Sequence, residues 1–328
     1  MKKIALVIPY VGNLRNDFPF WMKSIEYNPS IDFLMFTDCD IIGCPRNLHI
    51  YKMDFGLLQN MFQNSFDFQI CLKRPYKFCD FRPAYGEIFA EYLKEYDFWG
   101  YRDLDLVFGN IRSFITDELL GKYDHIFGRG HFSLFKNTPK INAIYHLVQE
   151  PNYKQVFTFS EGCAFDEYYG ISRYWDLYLH DSFFQDKMYD DIDCYKYSFD
   201  PQLNREVDLE CKNFIYSFNN GRLFRICDKK GELCKIETMY VHFQKRNMKI
   251  NTMVADQFMI VPNAFLPFLK LNDVDSLKKY THHTIFYNHY YKLQWNRIKN
   301  KFRKYVTRDY SKEYGKPKLP NSIHYYKK

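Results

Sequence analysis

No Cys-x-x-Cys pair occurs among the nine cysteines of this 328-residue chain. The closest pairs, Cys39/Cys44, Cys71/Cys79 and Cys227/Cys234, lack the spacing of a structural zinc site. An odd number of scattered cysteines in a chain this long reads as reduced, small core residues, and the expected compartment is cytoplasmic. No window approaches the ~18 apolar residues of a membrane-spanning helix. The run Ile4 to Ile8 follows Lys2 and Lys3 as a leader would, but Pro9 interrupts it, Arg15 and Asp17 follow, and there is no small-residue cleavage site. A first buried strand is expected there instead. No arginine-rich segment or RNA-binding signature is present, so nucleic acid is not an expected partner. Internal repeats and low-complexity linkers are missing as well.

What the chain does have is apolar and aromatic material. Hydrophobic residues make up 46% and aromatic residues 20%, enough for a sizeable core and too much for wholesale disorder. Tyr-rich surfaces suit sugar and base stacking, but an AT-rich coding sequence, which favours Phe, Tyr, Lys, Asn and Ile, is the weightier reading of the aromatic share. The formal net charge of +7 suits anionic small molecules or an anionic membrane surface.

Periodicity gives a β-α-β-β opening: strands at Lys3 to Tyr10, Ile31 to Thr37 and Leu48 to Met53, with a helix from Phe18 to Tyr27. Helices are expected at Asn64 to Leu72, Arg82 to Tyr96 and Thr138 to Val148, and a central strand at Phe98 to Leu106. Ile111 to Leu120 reads as helical or short 3₁₀ structure, and Asp124 to Arg129 as another strand. Residues 159–176 read as loop. Residues 195–245 alternate as a β-meander does, with strands at Leu223 to Cys227 and Lys235 to Phe243. The fold class is therefore α/β, a mostly parallel central sheet flanked by helices with a β-meander insertion and a basic helical C-terminal extension. The expected division is a catalytic unit at 1–250 and an extension at 251–328. Between Lys292 and Arg308 basic residues alternate with Leu293, Ile298, Phe302 and Tyr305, with no acid between those ends, a pattern shared by a solvated helix and one lying on anionic lipid.

Asp-x-Asp occurs four times: Asp38/Asp40, Asp103/Asp105, Asp191/Asp193 and Asp273/Asp275. What raises Asp103/Asp105 is the apolar, aromatic run before it, Tyr96 to Arg102, beside which isolated carboxylates are costly unless something pairs with them. Side chains at i and i+2 of an extended backbone share a face, and two carboxylates converging at a strand end suit a hard divalent cation. His242 closes a late strand and precedes Lys245 and Arg246. A charged segment, Lys77-Phe78-Cys79-Asp80-Phe81-Arg82-Pro83-Ala84-Tyr85-Gly86, leads into the carboxylate strand. Glu161, Asp166 and Glu167 lie together in a segment suited to an acceptor side, where a general base would deprotonate a hydroxyl.

In order and spacing, these stretches resemble the GT-A class of nucleotide-sugar glycosyltransferases, above all the bacterial capsular and lipopolysaccharide sugar transferases. The likeness rests on Ile8-Pro9-Tyr10, Phe36-Thr37-Asp38, Cys79 to Gly86, Trp99 to Asp105 and His242 to Arg246, and spans about residues 1–250. It implies a GT-A-like fold and a metal-dependent transferase moving a sugar from a nucleotide-diphosphate sugar, a UDP-sugar foremost, to a glycan or lipid-linked glycan in surface polysaccharide assembly. Under it, Pro9, Tyr10, Thr37 and Asp38 contact base and ribose, Asp103 lies near ribose and metal, and Asp105 and His242 ligate Mn²⁺ or Mg²⁺. Lys245 contacts the diphosphate, and Lys77 and Arg82 contact donor phosphate or sugar. Two other readings stand beside it. A sugar-1-phosphate nucleotidyltransferase would carry a Gly-rich basic loop after the first strand, where this chain has Val11-Gly12-Asn13-Leu14-Arg15-Asn16. A non-catalytic carbohydrate-binding protein would use the same aromatic surface without metal or nucleotide.

Overall fold

In the computed structural model, seven strands form the main sheet, in the order β3-β2-β1-β4-β7-β6-β8. The structure describes residues 1–281 except 168, 169, 180, 195, 196, 200–210 and 245, together with 291, 292, 294–296, 298 and 299. The centre of the sheet is β1 (Ile4–Tyr10), paired in parallel with β2 (Ile31–Thr37) and β4 (Phe98–Arg102). Outside β2 lies β3 (Leu48–Lys52), also parallel. On the other side, β7 (Phe132–Lys136) runs antiparallel to β4 and to β6 (His125–Arg129), and β8 (Ser182–Phe183) closes the edge beside β6.

Alternation along these strands sends side chains to two cores. Ala5, Val7, Leu34, Phe36, Trp99 and Tyr101 pack on one face with Leu58 and Phe62, and Ile4, Leu6, Ile8, Phe33, Met35 and Phe98 pack on the other with Phe18, Trp21 and Ile25. Both faces are dry, so β1 and β2 read as continuous apolar runs. At Gly100 the neighbours of β4 leave no room for a side chain. A Cβ there would lie 2.2 Å from the Ser133 carbonyl oxygen and 2.6 Å from Leu134 Cδ2.

Helix α1 (Phe18–Glu26) begins with Pro19 in its first turn and lies between this sheet and a second one. Trp21 faces the main sheet, while Phe20 stacks on Phe265 of the second at 4.1 Å between centroids. The second sheet has the order β12-β11-β10-β15-β16-β14. Its meander comprises β10 (Cys211–Asn219), β11 (Arg222–Lys229) and β12 (Glu232–Thr238), and its other half β14 (Lys249–Ile250), β15 (Gln257–Val261) and β16 (Ala264–Pro267). This sheet takes strands from both sides of residue 250. Most of the basic segment 292–308 lies outside the described residues. No helix among them is long and apolar enough to cross a membrane.

A third, three-stranded sheet joins the other two. It contains β5 (Leu106–Phe108), β13 (Tyr240–His242) and β9 (Asp190–Asp191), with β13 in the middle.

Several local expectations are corrected. The helix expected at Asn64 to Leu72 lies one segment earlier, as α2 (Phe55–Asn64), because Asp54 caps it by accepting the Leu57 amide at 2.8 Å. The helices expected at Arg82 to Tyr96 and Thr138 to Val148 are broken into short α and 3₁₀ turns. In the first, Pro83 cannot donate to the helical ladder. The single strand expected over Phe98 to Leu106 is two, β4 and β5, which belong to different sheets. Lys235 to Phe243 is likewise divided between β12 and β13.

His125 on β6 gives the fold a pH response. Its ring lies between Phe135 and Trp175, 4.6 and 4.8 Å between centroids, with Nδ1 2.8 Å from Ser182 Oγ. Burial pushes its pKa down to about 3. The unfolded imidazole takes up its proton near 6.5, so between those values the unfolded chain binds more protons, and stability rises with pH and is lost as pH falls. The loss should reach about 2 kcal/mol at about pH 5. His125→Phe is expected to remove that part of the pH dependence in urea unfolding, and an undiminished dependence would show that this ring is not its source.

Candidate functional site

The parallel strands β1, β2 and β4 end at the same edge, the usual ligand crevice of an open α/β sheet. Tyr10 is the register partner of Thr37. Beyond them Asp38 Oδ1 accepts the Gly12 amide at 3.0 Å, and the Tyr10 hydroxyl donates to the Asn13 carbonyl. Thr37 is buried and its Oγ1 accepts the Cys39 amide at 3.1 Å. The pairing of β1 with β4 ends with Val7 opposite Tyr101, two residues before Pro9 on one strand and two before Asp103 on the other. The four residues expected around base and ribose therefore share one edge with the carboxylate pair.

Asp103-Leu104-Asp105 crosses from the main sheet to the three-stranded one. Phe243 donates its amide to the Asp105 carbonyl at 2.9 Å, and β13 runs antiparallel to β5 with His242 opposite Leu106. That pairing brings the imidazole to the carboxylates: His242 Nε2 is 3.2 Å from Asp105 Oδ1 and 3.7 Å from Asp103 Oδ2. One ligand atom from each of the three residues fits within 4.8 Å of the others.

Asp191 stands behind the histidine. Parallel pairing of β9 with β13 places it beside His242, and its Oδ1 lies 2.8 Å from Nδ1 and accepts Gln244 Nε2 at 2.9 Å. Burial alone would raise the Asp191 carboxyl, but the His242 charge and hydrogen bond outweigh it and hold the pKa at about 2. Burial likewise opposes charge on His242, yet Asp105 and Asp191 raise the imidazole well above its ordinary value. A carboxylate on Nδ1 fixes the ring so that Nε2 faces the carboxylate pair, as an orienting carboxylate does behind a metal-bound histidine. His131 packs on the far side, its ring 4.6 Å from that of His242, and with Asp191 and His242 it forms a second group of potential ligands. A buried ion pair, Arg225 Nη1 to Asp190 Oδ1 at 2.7 Å, secures β9 to the second sheet.

Arg82 joins this centre to the candidate acceptor side. It donates to Asp103, to the Gly130 carbonyl and, at 2.8 Å, to Asp166 Oδ2. Asp166 is buried, and desolvation lifts its carboxyl to about 8, with Arg82 opposing and Glu167 adding to the rise. Glu167 is exposed next to it. A Cβ on Gly130 would lie 2.7 Å from Glu167 Oε1 and 3.2 Å from Asp166 Oδ2, so the missing side chain leaves room for both carboxylates. Glu161 is exposed and pairs with Arg74 at 2.6 Å.

Lys77 corrects an expectation. Its ammonium is buried and donates to Asp80 Oδ2 at 2.7 Å, the Val156 carbonyl at 2.9 Å and the Glu161 carbonyl at 2.7 Å. All three N–H donors are used inside the protein, which leaves none for a donor phosphate. Arg246 is also internal, held by Asn263 Oδ1 and the carbonyls of Tyr197 and Ser198. Lys245 lies outside the described residues.

Two residues in this region were not singled out from sequence. Asp191 looked like any other Asp-x-Asp. Arg15, on the loop after β1, is held by Asp17 through paired 2.8 Å hydrogen bonds and feels the charge of Asp105. It was visible only as the single arginine of that loop.

The fold and this cluster define an α/β protein with a carboxylate–imidazole centre at the carboxyl edge of its parallel strands. Residues 6–269 match the model of a family of unknown function, DUF6625, and the chain belongs to that family. No curated protein matches it. Among solved structures, apo mouse xyloside xylosyltransferase 1 is similar at 9% identity and a TM-score of 0.32, over 58% of this chain and 88% of that one. The galactosyltransferase LgtC, in complex with donor and acceptor sugar analogues, is similar at 11% identity and a TM-score of 0.26, over 56% and 67%.

Proposed function

We propose that this protein is a metal-dependent glycosyltransferase that moves a sugar from a nucleotide-diphosphate sugar, a UDP-sugar foremost, to a glycan or lipid-linked glycan in surface polysaccharide assembly. The observation that carries the reading is the convergence of Asp103, Asp105 and His242 at the strand edge, with Asp191 oriented behind the histidine. Two carboxylates and one imidazole, all within ligand reach, fit Mn²⁺ or Mg²⁺, and the nitrogen donor tilts the set toward Mn²⁺. When bound, such an ion supplies Lewis-acid neutralisation of the departing diphosphate.

The chain's own residues do the rest. Pro9, Tyr10, Thr37 and Asp38 line the base and ribose side. Arg15 adds a preorganised positive charge close to Asp105, where charge grows as the bond from the anomeric carbon to the phosphate oxygen breaks. Arg82 holds Asp103 and Asp166 in fixed relation. Glu167, exposed beside Asp166, is the best placed of the three acidic candidates to accept a proton from an acceptor hydroxyl. We place the activity on the cytoplasmic side of a membrane, with the basic segment 292–308 toward anionic lipid.

The test is a donor panel. Binding and hydrolysis of UDP-, GDP-, dTDP- and CMP-sugars by the full chain are measured with Mn²⁺, with Mg²⁺ and with chelator. Metal-dependent binding of one donor is the expected result; no nucleotide binding by folded protein under any condition would remove the reading. Asp191→Asn keeps a hydrogen-bonding group on His242 but removes its charge. It should weaken Mn²⁺ binding by about 10–100-fold, the usual cost of losing a partner behind a metal ligand. Unchanged affinity by metal titration would mean that Asp191 does not orient the histidine.

A further inference from the structure

Tyr76 is an exposed aromatic, 66% open to solvent, on a turn tied to the segment that leads to Asp166 and Glu167. It sits in the 3₁₀ turn Pro75–Lys77, whose position is fixed on both sides. Lys77 anchors the turn to Asp80 and to two carbonyls, and Arg74 pairs with Glu161. The ring edge lies over Gly162, where even a Cβ would come only to 3.6 Å from Cε1. The same turn is followed by Asp80, whose carboxylate accepts the amides of Cys163 and Phe165, so Tyr76 stands beside the segment that runs on to Asp166 and Glu167; burial first and then Cys79, Asp166, Glu167 and Asp103 make its hydroxyl less acidic. An aromatic held in water by a rigid turn gains nothing for the core. It offers an apolar face next to hydrogen-bond acceptors.

We propose that Tyr76 and Glu167 frame an acceptor-sugar subsite, in which a pyranose packs its C–H face on the Tyr76 ring and donates a hydroxyl hydrogen bond to the Glu167 carboxylate. The inference rests on the transferase reading for its place in the reaction, and its sugar chemistry stands on these residues. A flat, electron-rich ring suits the C–H face of a sugar, and an ionised carboxylate only accepts hydrogen bonds, as sugar hydroxyls require. The proposed function puts the nucleotide side at Tyr10, Thr37 and Asp38. The Tyr76 turn is tied to Glu161, at the start of the segment that carries Asp166 and Glu167, and Arg82 links Asp166 to Asp103 from the other side. A sugar held there is an acceptor rather than part of the donor.

The experiment uses the full chain and methyl glycosides of glucose, galactose and N-acetylglucosamine in both anomeric forms. Saturation-transfer NMR reports their binding with and without UDP and Mn²⁺, and calorimetry reports UDP–Mn²⁺ binding separately. Wild type should saturate the ring protons of at least one glycoside. Tyr76→Ala should weaken that binding by about tenfold, the scale of one aromatic contact, while Tyr76→Phe stays within about twofold. Glu167→Gln should weaken it too, with UDP–Mn²⁺ affinity unchanged in Tyr76→Ala. Glycoside binding by Tyr76→Ala equal to wild type, or no signal from folded wild type with any glycoside, would overturn the subsite. Loss of UDP–Mn²⁺ binding in the wild type with glycoside binding intact and Tyr76-dependent would overturn the transferase reading alone and support the sugar site.

Discussion

Asp105→Ala is expected to lower metal-dependent sugar transfer or donor hydrolysis by about 10²-fold or more while the protein stays folded, since a single electrostatic contact in a preorganised site is worth that much. Asp105 is one of the three converging residues that could hold the ion, and its carboxylate is the nearer of the pair to His242 Nε2, at 3.2 Å. The structural part of the residue survives the change. The hydrogen bond from the Phe243 amide goes to the Asp105 backbone carbonyl, so β5 and β13 remain paired in the variant. Steady-state rates across Mn²⁺ concentrations, with urea unfolding as the control for folding, separate the two effects. Asp275→Ala is the matched control, because it removes a carboxylate from another Asp-x-Asp whose side chain is 88% exposed and pairs only with Lys278 among the described residues. Full activity with unaltered metal dependence in Asp105→Ala would take Asp105 out of the site.

Lys77→Met should have the largest effect on stability, about 3–5 kcal/mol, the cost of stripping one partner from a buried ion pair. Lys77 and Asp80 are each 1% exposed. Asp80 also accepts the amides of Cys163 and Phe165, so its carboxylate organises the start of the segment that carries Asp166 and Glu167. Without the ammonium, Asp80 is left charged and buried, and the carbonyls of Val156 and Glu161 lose a donor. A lower urea midpoint with an unchanged slope would be the signature. A loss below about 1 kcal/mol, typical of an exposed pair, would mean that solvent reaches this lysine.

These two residues show what the sequence could and could not reveal. Asp105 was legible because it follows an apolar run at a strand end, and because β1 and β2, dry on both faces, read directly as strands. Lys77 misled because its charge, seen from sequence, pointed toward solvent and phosphate, while its burial depends on Val156 and Glu161, which are remote in the chain. Asp191 was hidden for a related reason. Its meaning comes from β9 pairing with β13, a contact between residues 51 apart, and nothing local distinguishes it from the other aspartate pairs. The helix at Phe55–Asn64 could have been read from its Asp54 cap. The division between β4 and β5 could not, because only the third sheet reveals that the chain changes partners at Asp103.

The placement of His242 in the middle strand of that third sheet has a consequence for biosynthesis. Translation delivers Asp103, Asp105 and Asp191 before the strand that carries the imidazole, and the strands β15 and β16 that complete the adjoining sheet emerge later still. A nascent chain stopped before β13 holds acidic groups without their histidine. On the proposed metal reading, the Mn²⁺ affinity of ribosome-bound chains of increasing length would therefore rise stepwise once β13 has left the exit tunnel, making cation capture a gauge of how far synthesis has passed that strand.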